Sequence, residues 1–441
     1  MRISAIIFTL FFAFGCNISQ EKIKLKDNSF HIFVDDKTEN EIYESRNRKI
    51  DLDYFTNLYF GSTKYHLDKI NIRGQSALGY RRKNFSVNIN GKFSLYDNNV
   101  KDTLHFEKFV LSSMSMDYTY IENKISHFLL KEIDLWPLHS FYTEVFINNH
   151  HQGLYLFIEN LKEYASKKKK AISILRRGYN HQISEIQTKK DDDLYNSFKI
   201  SYNKYIAANL KIKNMEVISD PYIRKFNHIY DILSIYKGKE LYDSINTILN
   251  LENYMKKIAA DEILENGDFT DEIYFYSESK NNEKITFDII PWDFDDIFSS
   301  MPHEIGRTDS LCGRCFGIRI YPTYEDFIKE TKGRLIFSIE DDLDYIIMKD
   351  DYLYFKYLEK LDEILKKLNV TVITKYFDKL EYELLTFYRI PEVINQSKFD
   401  ENPTELFIFK TNIYEKKNRL IDRISWLQNE VLIQQNNFRT N

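Results

Sequence analysis

Behind the apolar run Ile285-Thr-Phe-Asp-Ile-Ile290, the dipeptide Pro291-Trp292 leads into Asp293, Asp295 and Asp296 almost without a spacer. Side chains alternate faces along extended backbone, so Asp293 and Asp295 would point the same way. Carboxylates that close repel unless a cation sits between them. A hard divalent ion carrying a phosphate is one candidate, because Mg2+ prefers carboxylate oxygens and keeps several of its waters. Upstream lies a second acidic knot, Asn266-Gly-Asp268-Phe-Thr-Asp271-Glu272. The plain alternative is a solvated acidic loop after a strand; the Pro-Trp turn and the second cluster favour a site.

Phosphoryl transfer asks for a carboxylate to orient the acceptor, carboxylates for metal, and a lysine on the phosphates. Asp268 follows a helical pattern over residues 253–265, where an acceptor-orienting acid would stand. Asp293 comes 25 residues later, at the end of a hairpin that would return both loops to one mouth. For the lysine, Lys83 enters a strand at residues 84–90 on the face shared by Phe85 and Val87. Arg73-Gly74-x-Ser76 could give a tight turn with donors to phosphate, although no Gly-x-Gly-x-x-Gly or Walker loop occurs. Neither a Gly-x-Ser-x-Gly elbow nor a His-Glu-x-x-His helix is present. A glycosidase could use two of these acids, but it needs neither a lysine strand nor a metal cluster.

These residues must be carried by elements that the pattern predicts as follows. Residues 27–160 read as β-rich, with strands at 69–73, 84–90, 109–112, 142–148 and 153–159. The last two flank a turn containing His150 and His151. One amphipathic helix is expected over 120–131, from Ile121, Ile125, Phe128 and Leu129, ending before Pro137. Residues 161–441 read as mainly helical, at 222–236, 241–249, 253–265 and several stretches after 352. A hairpin of 273–277 with 284–289 interrupts them. The stripe Leu420, Ile424, Leu427, Val431 marks a long terminal helix whose apolar face is core. The layout is α+β and resembles a protein-kinase-like bilobal fold, a β-rich N-lobe and a mainly helical C-lobe with ATP between them.

Taken together, several motifs resemble the CotH kinase family, a group of spore-coat-type, protein-kinase-like proteins. They are Arg73-Gly-x-Ser76, the basic pair entering the 84–90 strand, Glu144-Val-Phe-Ile-Asn148 and Gly153-Leu-Tyr-Leu-Phe-Ile-Glu159. Asn266-Gly-Asp268 and Pro291-Trp-Asp-Phe-Asp295 complete the set, in family order from about residue 72 to 298. The resemblance implies an atypical kinase that moves phosphate from ATP to Ser or Thr of a protein, with Mg2+ or Mn2+. It implies Asp268 as catalytic acid, Lys83, Arg73, Gly74 and Ser76 at the phosphates, and Glu159 at an inter-lobe hinge. Asp293, Asp295 and Glu272 would hold metal. Two departures stand out: Asp271-Glu272 replaces the family's usual Asn, and Arg82 stands where its first lysine usually falls. The alternative is a catalytically inactive kinase-fold surface lipoprotein serving as a binding or adhesion module.

Composition and termini place the chain. Its 441 residues suffice for a large core, and a net charge of −5 gives no basic footprint for nucleic acid. Residues 1–16 read as an export signal: Arg2, an apolar run over 3–14 too short to span a bilayer, then Ala13-Phe-Gly-Cys16. Cys16 is the expected lipidation site, anchoring an exported protein at the cell envelope beside a protein substrate. Cys312 and Cys315 are expected to form a local disulfide in that compartment.

Overall fold

The computed structural model describes residues 25–44, 56–74, 76–97, 101–117, 119–177, 205–208, 219–267, 273–279, 284–292, 294–302, 305–306, 321–390, 393 and 406–440. The first part of the chain is a closed barrel. Its strands are β1 (Ser29–Phe33), β2 (Asn57–Phe60), β3 (Thr63–Arg73), β4 (Asn84–Asp97), β5 (Asp102–Ser112), β6 (Ser140–Ile147) and β7 (His150–Glu159). Around the barrel the order is β1-β2-β3-β4-β5-β7-β6. Antiparallel neighbours run the whole way round except at the seam, where β6 returns parallel to β1 with Phe30 opposite Val145.

Aromatic and β-branched residues on one face of each strand make this closure favourable. Phe30, Phe93, Phe106, Phe109 and Phe157 fill the interior, with Phe157 within 5.0 Å of Phe109 and 5.1 Å of Phe106 by ring centroid. The β6–β7 turn is the two residues Asn148 and Asn149, both at positive φ (45° and 65°), and Ile147 pairs with His150 across it. Two left-handed residues match the twist of a hairpin, and asparagine tolerates that region better than most side chains.

This closure overturns the protein-kinase-like bilobal fold expected from the layout; the α+β class stands. The expectation failed because β1 and β2 are short runs far from the strands that the alternation marked, and they seal what would otherwise be an open sheet. His150 and His151 are likewise strand residues rather than turn residues. His151 is buried, with Nε2 2.7 Å from Glu144 Oε1.

Against the barrel pack helices α1 (Asp36–Glu44), α2 (Glu122–Glu132) and α3 (Leu161–Lys168), the last capped by Asn160. A second sheet follows, with β8 (Ser173–Arg177), β9 (Tyr205–Ala208), β10 (Ile273–Ser277) and β11 (Asp288–Pro291) in the order β11-β10-β8-β9. The expected hairpin is its β10–β11 pair, with Ile273 opposite Pro291 and Tyr276 opposite Asp288.

The rest is helical: α4 (Ser219–Ile235), α5 (Gly238–Asn246), α6 (Leu251–Leu264), α7 (Tyr324–Thr331), α8 (Asp342–Lys349), α9 (Asp351–Lys367), α10 (Val370–Tyr388) and α11 (Leu406–Thr440). The α11 stripe Leu420, Ile424, Leu427 and Val431 is buried, as its spacing predicts. Among the described residues no helix is long and apolar enough to cross a membrane.

Candidate functional site

Helix α6 ends at Glu265 in a left-handed conformation (φ 52°), which releases the chain into Asn266-Gly267. A buried ion pair inside α6 fixes that exit. Lys257 Nζ lies 2.7 Å from Asp261 Oδ2, while Asp261 Oδ1 accepts from Asn266 Nδ2 at 3.1 Å. The Asn266 N–H closes the turn onto the Asp261 carbonyl at 3.0 Å. Gly267 is dictated by close approach. A Cβ there would meet Asp296 Oδ2 at 2.3 Å and Ser299 Oγ at 2.8 Å, inside any tolerable contact.

The two acidic segments are stitched together through their backbones. Gly267 N–H donates to the Asp296 carbonyl at 2.9 Å, Phe298 N–H to Leu264 at 2.8 Å, and Ser299 N–H to Glu265 at 3.0 Å. Asp268, Glu272 and Asp293 themselves lie outside the described residues, as do Cys16, Cys312 and Cys315. Their described neighbours nonetheless bring the residue before 268 and the residues after 293 into hydrogen-bond contact.

The barrel brings a cation to this region. Arg73, half-buried at the end of β3, places Cζ 4.8 Å from the Trp292 ring centroid, directly before the second acidic segment. A stacked guanidinium keeps its edge donors available while its face is held by the indole. Gly74 follows at φ 82°, and the chain enters a 3-10 turn over Ser76–Gly79. Lys83 is buried and donates from Nζ to the Leu78 carbonyl in that turn at 2.7 Å, so it lies against the same loop as Arg73 and Gly74. The Ser76 side chain is outside the described set. Arg82, by contrast, is a strut. It is buried and donates to the carbonyls of Gln152, Ser113 and Leu154 and to Tyr120 Oη, tying β7 to the segment before α2.

Glu159 ends β7. Its Oε2 accepts from His139 N–H at 3.2 Å, and burial pushes its carboxyl up to about 7. Asp295 is half-buried in the turn after Trp292, and sequence reasoning missed an acid whose titration its charge touches, Glu122 at the start of α2. Burial, then the charge of Asp117, raise the Glu122 carboxyl to about 8; Lys416 opposes them and Asp295 adds to the rise. Asp117 is itself locked in place, accepting from Thr119 N–H, Thr119 Oγ1 and Glu122 N–H at 2.9, 2.6 and 2.7 Å.

An ammonium from the far end of the chain holds these acids together. Lys416 of α11 bonds Glu122 Oε1, reaches Thr119 Oγ1 at 2.9 Å and Asp117 Oδ1 at 3.6 Å, and lies 5.7 Å from the Phe298 ring. Arg419 bonds Glu265 Oε2 and the Ser299 carbonyl, and Arg423 bonds Glu262. The overlooked signal was the spacing 416, 419, 423, which puts three cations on one helical face.

Asp295 and Asp296 of the second acidic segment offer carboxylate oxygens, the hard ligands that Mg2+ and Mn2+ take. Among the described residues no group of three or more His, Cys, Asp or Glu is arranged to hold an ion. At the acids Asp117 and Glu122, the Lys416 ammonium already supplies the balancing charge.

Residues 70–425 match the family model described as CotH kinase protein, most of the chain. A search of the curated proteins found no match.

Proposed function

Given that this chain belongs to the CotH kinase family, we propose that it is an atypical kinase transferring the terminal phosphoryl group of ATP to a Ser or Thr hydroxyl of a protein. The observation that carries this reading is the backbone stitching of the two acidic segments beside Arg73. Gly267 N–H on the Asp296 carbonyl, with Arg73 over Trp292, supports acids and a cation meeting at one mouth.

In this reading Asp268 takes the proton of the acceptor hydroxyl as its oxygen bonds to phosphorus and the bond to ADP breaks. Arg73 and Lys83 hold phosphate oxygens, aided by the backbone of the Gly74 turn and by Ser76. Asp293, Asp295 and Glu272 would hold a divalent ion, Mg2+ or Mn2+, which would neutralise charge on those oxygens. Glu159, half-neutral near pH 7, sits where the barrel hands over to α3 and suits a neutral nucleotide edge better than an anion. The acceptor is a protein of the cell envelope, reached by an exported chain tethered through lipid on Cys16. Membrane tethering needs no spanning helix.

Incubation with labelled ATP and Mg2+ or Mn2+ tests this directly. The wild-type chain is expected to incorporate phosphate into itself or an envelope extract, and Asp268→Asn and Asp293→Asn each to abolish it without loss of thermal stability. Wild-type rates in either variant would remove the role assigned to that residue. A chain with neither incorporation nor a nucleotide-dependent thermal shift would be a binding module instead.

A further inference from the structure

The second acidic segment is gripped from outside as well as stitched from within. Lys416 and Arg419, one turn apart on α11, both lie over the Phe298 ring, at 5.7 and 5.6 Å. Phe298 sits at φ 59°, a conformation that a bulky side chain adopts only when its surroundings impose it. Arg419 adds a hydrogen bond to the Ser299 carbonyl at 3.0 Å and an ion pair to Glu265 at the α6 exit. Lys416 also reaches Asp117, Thr119 and Glu122 at the start of α2. One helix therefore touches α2, the α6 exit and the 298–299 turn together.

We propose that Lys416, supported by Arg419, is a positioning residue that sets the segment carrying Asp293 and Asp295 against α2 and the α6 exit. The proposal rests on the phosphotransfer reading for its consequence in activity, but the clamp itself is a statement about the chain. Lys416 and Arg419 tie the 298–299 turn to Glu122 of α2 and to Glu265 at the α6 exit, so losing the ammonium weakens the link between that turn and α2. The cost falls on geometry, because a displaced ligand carboxylate misplaces the phosphate it helps to hold.

Three full-length variants test it. Lys416→Met removes the charge, Lys416→Arg keeps it, and Lys417→Met alters an exposed-side neighbour whose partner is Asp378. Hydrogen exchange at the amides of 298 and 299, with barrel amides as internal reference, reports the clamp without requiring activity. Lys416→Met is expected to speed exchange at those two amides roughly tenfold or more and to lower phosphate incorporation roughly tenfold to hundredfold. Lys416→Arg should recover most of both, and Lys417→Met should match the wild type. Unchanged exchange in Lys416→Met, or an arginine variant no better than the methionine one, would overturn the clamp. If the wild type incorporates no phosphate, the phosphotransfer reading falls while exchange still decides the clamp.

Discussion

At the scale of single residues, Glu122 is the clearest titrating group near the site. It lies between attraction from Lys416 and the combined pressure of burial, Asp117 and Asp295, and the pressure wins, leaving its carboxyl near 8. A carboxyl raised above its unfolded value binds more protons in the folded chain. Its stabilising contribution is thus full below about pH 4.5 and is lost as pH rises through 8. Wild-type stability should fall across that window by as much as a few kcal/mol from this group, and Glu122→Gln should flatten the slope. Denaturant melts from pH 5 to 9 check it; parallel slopes for the two proteins would refute it. Asp293, Asp295 and Asp296 stand out in the sequence because three acids crowd directly after a strand. Glu122 and Lys416 do not, because 294 positions separate them in sequence and nothing local marks a long-range pair.

At the scale of elements, the stitching depends on one missing side chain. Gly267→Ala would drive a methyl into the side chains of Asp296 and Ser299, which must move aside. The expected outcome is at least a tenfold loss of phosphate incorporation, as for any displacement near an ångström, with a far smaller change in melting temperature. Equal losses in both would show the segment to be structural support only. Most elements around the site were readable. The 120–131 helix, the 253–265 helix and the β10 strand answer to α2, α6 and Ile273–Ser277 within a few residues. Their apolar spacing is strong because each buries one face. The return strand of the hairpin pairs later than its apolar run suggests, at Asp288–Pro291. Strand β8 was hidden inside a basic stretch that reads equally well as a solvated loop, and β9 carried no marked alternation.

At the scale of the molecule, barrel closure is the feature that the pattern did not reveal. Two short strands, β1 and β2, convert a sheet into a cylinder, and no local periodicity announces that β1 will pair with β6 far along the chain. The aromatic interior holds the closed form together. Phe157 packs against Phe30, Phe93, Phe106, Phe109 and Phe141, so Phe157→Ala should cost about 3–5 kcal/mol as a large-to-small core change. Denaturant unfolding checks this, and a cost below about 1 kcal/mol would mean the barrel interior collapses to fill the gap. All seven barrel strands lie between Ser29 and Glu159, ahead of the acidic segments at 266–272 and 293–296. Because the chain emerges N-terminus first, the N-terminal unit can finish folding before Asp268 joins it. The nascent chain would carry a complete cylinder with Arg73 in place, waiting for carboxylates that arrive later and for α11, made last, to lock them down.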